Sequence, residues 1–424
     1  MLSKFKEAAY TAILKEELLM ATGCTEPTAI AFCAARMRDM LGARPEHIKI
    51  EVSGNIIKNV KSVIVPNTGG QKGIKAAAAA GIVAGDASLG LQVISSVPPS
   101  LHHDIKVYAE SVPILVICMD TPRMLEIRIT GKFGQDSAVV HIANSHSNII
   151  YEEKNGCVLK NIDPDDGSGE FPTDRSVLNV KDIVEYANTV DLADVTPILD
   201  NQIQCNSAIA EKGLRESWGA SIGRVLIRNS AGDIVTEARA YAAAGSDARM
   251  SGCEKPVVIV SGSGNQGITA SVPVIRYAKH IGARQSELYR ALLVSNLITI
   301  HQKTGIGRLS AYCGAVSAGC GAGAGIAYLL GADYNAIAHT VTNAVAMLSG
   351  TICDGAKPSC ASKIALAVEA GILGYQMYLE HKQFNSGDGI VGDGVEKTIA
   401  NVGRLAKQGM YQTDKTILQI MTES

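Results

Sequence analysis

Apolar positions recur at helical spacing through residues 3–41 and are interrupted at Thr22-Gly23-Cys24-Thr25-Glu26-Pro27, where Thr and Pro suit the start of a second helix. Cys24 is thereby expected at a helix N-terminus. Residues 47–65 alternate apolar and polar side chains as half-buried strands do, residues 67–70 make a turn, and an alanine-rich helix over 72–84 follows, which predicts a strand-strand-helix unit. Further alternation over 105–107, 114–118, 124–129 and 138–142 predicts strands of a mostly antiparallel sheet. Residues 161–174 (NIDPDDGSGEFPTD) form a polar break rich in Gly and Pro, and beyond it the period is helical almost throughout. The expected class is α+β: an N-terminal mixed α/β domain over 1–170, whose first helices (1–42) can pack on the second domain, then a mainly helical domain over 171–424.

Hydrophobic residues make up 46% of the 424-residue chain and aromatics only 4%, so packing must rely on small residues and close backbone approach. Residues 309–332 carry no charge and are long enough to cross a bilayer, but their six glycines lower the mean hydropathy, and a buried helix is expected. With 39 basic and 41 acidic residues and no basic block, nucleic acid is not an expected partner. Lys4, Lys6, Glu7, Lys15, Glu16 and Glu17 interrupt the first twenty residues, unlike a secretion signal. Ten cysteines without such a signal point to the reducing cytoplasm, where Cys is a metal ligand, a catalytic group or core.

Three features carry candidate chemistry. Gly262-Ser263-Gly264-Asn265-Gln266-Gly267 follows a short apolar run and matches the dinucleotide fingerprint, but a helical pattern follows where the fingerprint needs a strand ending in an acidic residue. Backbone amides with Ser261, Ser263, Asn265 and Gln266 suit a small anion such as a substrate carboxylate; a plain tight turn is the alternative. Asp163, Asp165 and Gly167 look like a truncated calcium loop whose spacing does not fit, and His102-His103-Asp104 reads as surface. Cys313, Cys353 and Cys360 lie in small-residue contexts (AYCGAV, TICDGA, PSCASK), which leave room for a bulky cluster and for amides to approach its thiolates. Spacing alone leaves core cysteines and zinc open. Cys320, Cys33, Cys118, Cys157, Cys205 and Cys253 read as structural.

GCTEPTAIA (23–31), SDARM (246–250), SGSGNQGITAS (261–271) and ICDGAKPSCASK (352–363) together resemble the L-cysteine desulfidase family, and the C-terminal half resembles the catalytic domain of iron-sulfur L-serine dehydratases. The resemblance implies a 4Fe-4S cluster on Cys313, Cys353 and Cys360, no pyridoxal phosphate, conversion of L-cysteine and water to pyruvate, ammonia and hydrogen sulfide, and Cys24 as proton acceptor. A helix N-terminus and a nearby cluster would lower the Cys24 pKa for that task. Cys24 as the fourth ligand, a serine or threonine dehydratase, and a non-catalytic amino-acid-binding iron-sulfur protein remain the alternatives. Asn67, Thr68, His146 and Arg308 are supporting candidates for orienting a small amino-acid substrate, and Gly/Ala-rich helix surfaces suit a homodimer.

Overall fold

The computed structural model describes residues 2–163, 173–229 and 232–423. Helix α1 (Lys4–Glu17) starts at Ser3, whose hydroxyl accepts from the Lys6 amide, and is followed by strand β1 (Met20–Thr22) and helix α2 (Thr25–Leu41), ended by Gly42 in the left-handed region. Next come β2 (His47–Val52), α3 (Gly54–Val60), α4 (Gly73–Ala84), α5 (His102–Ser111) and the strands β3 (Ile114–Cys118), β4 (Glu126–Phe133), β5 (Asp136–Ala143), β6 (Ile149–Lys154) and β7 (Cys157–Asn161). These strands form one sheet in the order β3-β2-β4-β5-β6-β7, antiparallel except for the parallel β2–β3 pair.

The inward residues Ile50, Ile127, Ile129, Val140 and Ile142 pack with α2 and with the alanine row of α4. Small side chains allow the two helices to approach closely: a methyl on Gly81 of α4 would fall 2.1 Å from the Ala31 carbonyl oxygen. This is the expected α+β class with its mostly antiparallel N-terminal sheet.

Two expected strands are helical. Residues 54–60 form α3, because Ile56 and Val60, one turn apart, both face the core while Lys58 and Asn59 are buried on polar partners. The polar positions therefore did not mark a solvent face. Residues 105–107 lie within α5, where Ile105 is buried and Val107 is exposed, a spacing too short to distinguish the two periods. The β6–β7 hairpin was not foreseen; its edge strand leaves Val158 and Leu159 exposed, so it lacks the expected alternation.

The C-terminal half contains α6 (Val180–Thr189), α7 (Thr196–Arg215), α8 (Ile222–Arg228), α9 (Ile234–Met250), β8 (Pro256–Val258), α10 (Gly264–Ile281), α11 (Gln285–Ile306), α12 (Gly314–Leu329), α13 (Tyr334–Leu348), α14 (Cys360–Leu379), α15 (Gly394–Arg404) and α16 (Tyr411–Glu423). The uncharged 309–332 stretch contains α12, a buried central helix. Its glycines meet neighbouring backbones: a methyl on Gly319 would lie 2.3 Å from the Ala367 carbonyl oxygen of α14, and one on Gly321 2.5 Å from the Ser295 carbonyl oxygen of α11. No helix among the described residues is long and apolar enough to cross a membrane.

Two connections bring the halves together. Tyr10, Ile13 and Leu14 of α1 share a core with Ile183 of α6 and Leu297 of α11. Strand β1 pairs antiparallel with β8, Met20 opposite Val258, which brings the start of α2 beside the loop that follows β8.

Candidate active site

Four helices begin around one cavity of about 100 Å³. Cys24 is the N-cap of α2, Ser263 that of α10 and Cys313 that of α12, and Cys360 is the first residue of α14. The partial positive charge and unfilled amides at each start favour thiolates and other anions. Cys313 and Cys353 are held side by side by short antiparallel backbone pairing: the Cys313 amide donates to the Thr351 carbonyl at 3.1 Å and the Cys353 amide to the Ala311 carbonyl at 2.6 Å. Cys24, Cys313, Cys353 and Cys360 all line the cavity, although residue 24 is far from the others in the chain.

Burial pushes the Cys313 thiol up to about 12, helped by the neighbouring Cys353 and Cys360 and opposed by an amide hydrogen bond at Ala315. Cys360 is raised mainly by burial as well. At both thiols burial outweighs the opposing pull of nearby lysines, Lys363 at Cys313 and Lys357 with Lys363 at Cys360, and a cationic group bound among them would favour the ionised form further. Among the described residues no three His, Cys, Asp or Glu side chains come together as ligands of a single metal ion. His102, His103 and Asp104 begin α5, and Asp165 and Gly167 of the calcium-like segment lie outside the described residues.

In the protein without a bound group, the Cys24 thiol is held in its neutral form. It is at the foreseen helix N-terminus, but burial raises the thiol well above its ordinary value and the Glu26 charge adds to this, while Arg249 acts in the opposite direction. Its Sγ donates to Glu26 Oε2 at 3.0 Å. Burial alone would raise Glu26; His146, whose Nε2 is 3.8 Å from Oε1, and the Cys24 thiol hold it down at about 2. Asn59 Nδ2 donates to Glu26 Oε1 at 3.2 Å, and Thr25 Oγ1 donates to the Gly262 carbonyl at 2.9 Å, tying α2 to the glycine loop.

Each glycine of that loop answers to a protein neighbour. Gly262, at φ +76°, passes close to Arg308 and His146; a methyl on Gly264 would lie 2.3 Å from Arg249 Nε; one on Gly267 would lie 2.0 Å from the Val258 carbonyl oxygen. The strand-turn-helix order matches the dinucleotide fingerprint, yet among the described residues β8 pairs only with β1, antiparallel, and α10 is followed by α11, so the parallel strand-helix-strand unit that a dinucleotide uses is not formed among them.

Gly262, Ser263, Asn265, Gln266 and Arg308 line the cavity. Ser261 lines a neighbouring cavity of about 160 Å³ that shares Lys303 and Arg308 with the first. His146 is buried behind Gly262 and Glu26. Asn67 and Thr68 are not among the lining residues: Asn67 Nδ2 donates to the carbonyls of Ile94 and Ser95, and Thr68 Oγ1 to that of Val65, so both side chains hold their own turn and its neighbour. Cys320 is buried in the helical core. Sequence reasoning missed Glu26, Asn59, Arg249, Lys303 and Tyr312, all of which line the cavity. Glu26 and Arg249 stood inside the motifs GCTEPTAIA and SDARM, where a charged residue among small apolar ones was the available signal.

A sequence model described as serine dehydratase alpha chain matches residues 145–419, which includes the three clustered cysteines and the glycine loop. A UPF0597 protein of Desulfitobacterium hafniense is 56% identical over 413 residues, covering 97% of this chain and 96% of its own. One from Treponema denticola is 46% identical over 430 residues, with 99% of both chains covered, and one from Bacteroides fragilis is 37% identical over 418 residues, with 97% of both covered. With the match extending over the glycine loop and all three cavity cysteines of the helical half, the chain belongs to the serine dehydratase alpha chain family and has UPF0597 proteins as full-length relatives.

Proposed function

We propose that this protein is a pyridoxal-phosphate-independent lyase that removes the β-substituent of a small amino acid, converting L-cysteine and water to pyruvate, ammonia and hydrogen sulfide, with a 4Fe-4S cluster on Cys313, Cys353 and Cys360. The observation that carries this reading is the meeting of these three thiols with Cys24 in one cavity, around which α2, α10, α12 and α14 begin. The donor set fits: a cluster spreads its thiolates over separate irons, so ligands around a common cavity, not around one point, are what it requires. Three thiols leave one iron without a protein sulfur from this set. When bound, the cluster supplies a Lewis acid that neutralises charge developing on the departing thiolate or hydroxide.

The protein's own residues do the rest. Ser263, Asn265 and the start of α10 hold the substrate beside the thiols, and Cys24 takes the α-proton. Glu26 orients the Cys24 thiol, and the positive charge of Arg249 favours its ionised form. Loss of the β-group leaves an enamine that hydrolyses to the keto acid and ammonia. All ten cysteines are free thiols, in keeping with a reducing, cytoplasmic setting. We read the chain as two domains, 1–170 and 171–424, in a homodimer.

Serine or threonine as the substrate is the second reading, and the family match favours it. Anaerobically purified protein is expected to show a broad absorption near roughly 400 nm with iron and sulfide present. Serine at Cys313, Cys353 or Cys360 should abolish it, and serine at Cys320 or Cys118 should not. Assays of pyruvate and sulfide with L-cysteine, L-serine and L-threonine then separate the two substrates. A colourless zinc-loaded protein would overturn the cluster; a cluster-replete sample giving no keto acid would overturn the lyase and leave an amino-acid-binding iron-sulfur protein.

A further inference from the structure

Arg249, near the end of α9, is 2% exposed and lines the cavity beside Cys24 and the three proposed ligands. Its Nη1 donates to Asn265 Oδ1 at 3.1 Å, whereas Nε and Nη2 are buried and have no hydrogen-bond partner. No carboxylate of the described residues pairs with it. A buried guanidinium left in this state is costly, since burial removes hydration that a single amide oxygen does not replace. The two unpaired nitrogens share one edge of the guanidinium, whose parallel N–H bonds match both oxygens of a carboxylate.

The start of α10 points to the same ligand. This helix has 18 residues, and its N-cap Ser263 makes no side-chain cap. Its first residue, Gly264, has no side chain where one would collide with Arg249 Nε, so the guanidinium lies directly against the helix start. Gln266 Oε1, in the first turn, is also buried without a partner and lines the same cavity. An anion there meets a fixed cation and a helix N-terminus together, and Gln266 offers an acceptor to a neighbouring ammonium group.

We infer that Arg249 is the anchor of the substrate α-carboxylate and that the site therefore selects zwitterionic α-amino acids over their amides and esters. The inference deepens the lyase reading, from which it takes the class of ligand, but it concerns binding and can be measured without turnover.

L-alanine has no β-leaving group and serves as an unreactive probe, with L-alaninamide as the match that lacks the carboxylate. Calorimetric titration of the anaerobic protein is expected to show L-alanine binding at least tenfold tighter than L-alaninamide. Arg249→Gln should weaken L-alanine by about tenfold to a hundredfold, as loss of a charge-assisted pair does, and leave L-alaninamide unchanged; Arg249→Lys should retain part of the preference. With a turned-over amino acid the same loss should appear in KM, together with a fall in kcat because Cys24 loses the charge that favours its ionised form. Equal binding of the acid and the amide by the unaltered protein overturns the inference, even if Arg249→Gln does not fold. So does an Arg249→Gln protein that keeps its L-alanine affinity but loses its absorption near roughly 400 nm, which would make Arg249 a support of the cluster. An anchor that passes these tests in a protein yielding no keto acid would stand while the lyase reading fell.

Discussion

The Cys24 thiol and the Glu26 carboxylate, two positions apart at the start of α2, share a hydrogen bond of 3.0 Å, so the cysteine placed nearest the proposed chemistry is oriented by a buried acid that its own helix supplies. Cys24→Ala is expected to lower kcat by about 10²–10⁴-fold, the usual weight of a positioned proton acceptor, and to retain the cluster absorption. A change in that absorption would assign Cys24 to the fourth iron instead, and full turnover would remove it from the mechanism. Glu26→Gln should give a smaller loss in kcat together with an altered pH profile, because the thiol then loses its charged neighbour.

The Lys58 ammonium, 2% exposed, bridges two distant segments: it pairs with Asp414 of α16 at 2.5 Å and donates to the Cys353 carbonyl at 3.3 Å. Asn55 Nδ2 adds a bond to Asp414 at 2.7 Å. Removing one partner of a buried pair leaves the other uncompensated, so Lys58→Met should destabilise the protein by about 3 kcal/mol. It should also speed iron loss to a chelator by loosening the segment that carries Cys353. Unchanged thermal unfolding and unchanged iron release would refute that coupling.

Alanine at two glycines of the same loop should act differently. Gly264→Ala meets two side chains, Arg249 at Nε (2.3 Å) and the buried Val257 at Cγ2 (2.7 Å), and is expected to raise KM by displacing the guanidinium, at a smaller cost in stability than Gly267→Ala. Gly267→Ala meets the fixed Val258 carbonyl at 2.0 Å and should cost about 1–3 kcal/mol of stability by overpacking. Thermal unfolding and steady-state kinetics on the pair would test this; matching effects would show that the loop shifts as one body.

Asp247, two residues before Arg249, accepts from the Gly223 amide at 3.4 Å, and burial pushes its carboxyl up from 3.8 to about 6 despite backbone hydrogen bonds that favour the charge. A raised folded-state value means that the folded protein holds this proton more tightly. The associated stability is complete below about pH 4 and is lost as pH rises through about 6. Asp247→Asn should flatten the change across that window, by about 1 kcal/mol once solvent screening is allowed for. Denaturant titrations at pH 4, 5, 6 and 7 would reveal it, and parallel curves for parent and variant would count against it.

Much of the site was legible as residues but not as neighbours. Cys24 at a helix start followed from Pro27 and the broken helical period, and the small-residue surroundings of Cys313, Cys353 and Cys360 marked them before any geometry was known. Arg249 was not legible, because a charge among alanines reads equally as a solvent-facing residue or a buried one, and its burial depends on Gly264 of another helix. Residues 54–60 failed for a related reason: Lys58 and Asn59 looked like the exposed half of a strand, whereas they are buried on Asp414 and Glu26.

By itself the sequence determined the α+β class, the set of reactive side chains and most of the periods, α3, α5 and the β6–β7 hairpin excepted, since each depends on residues within a few positions of one another. The tertiary structure alone decided which of those side chains meet. Cys353 is reached by Lys58 from 295 positions away, and the glycine loop by Thr25 from 237. Such meetings depend on the path of the whole chain, on β1 pairing with β8 and on α12 packing through its glycines, and no local pattern encodes the partner of a buried charge.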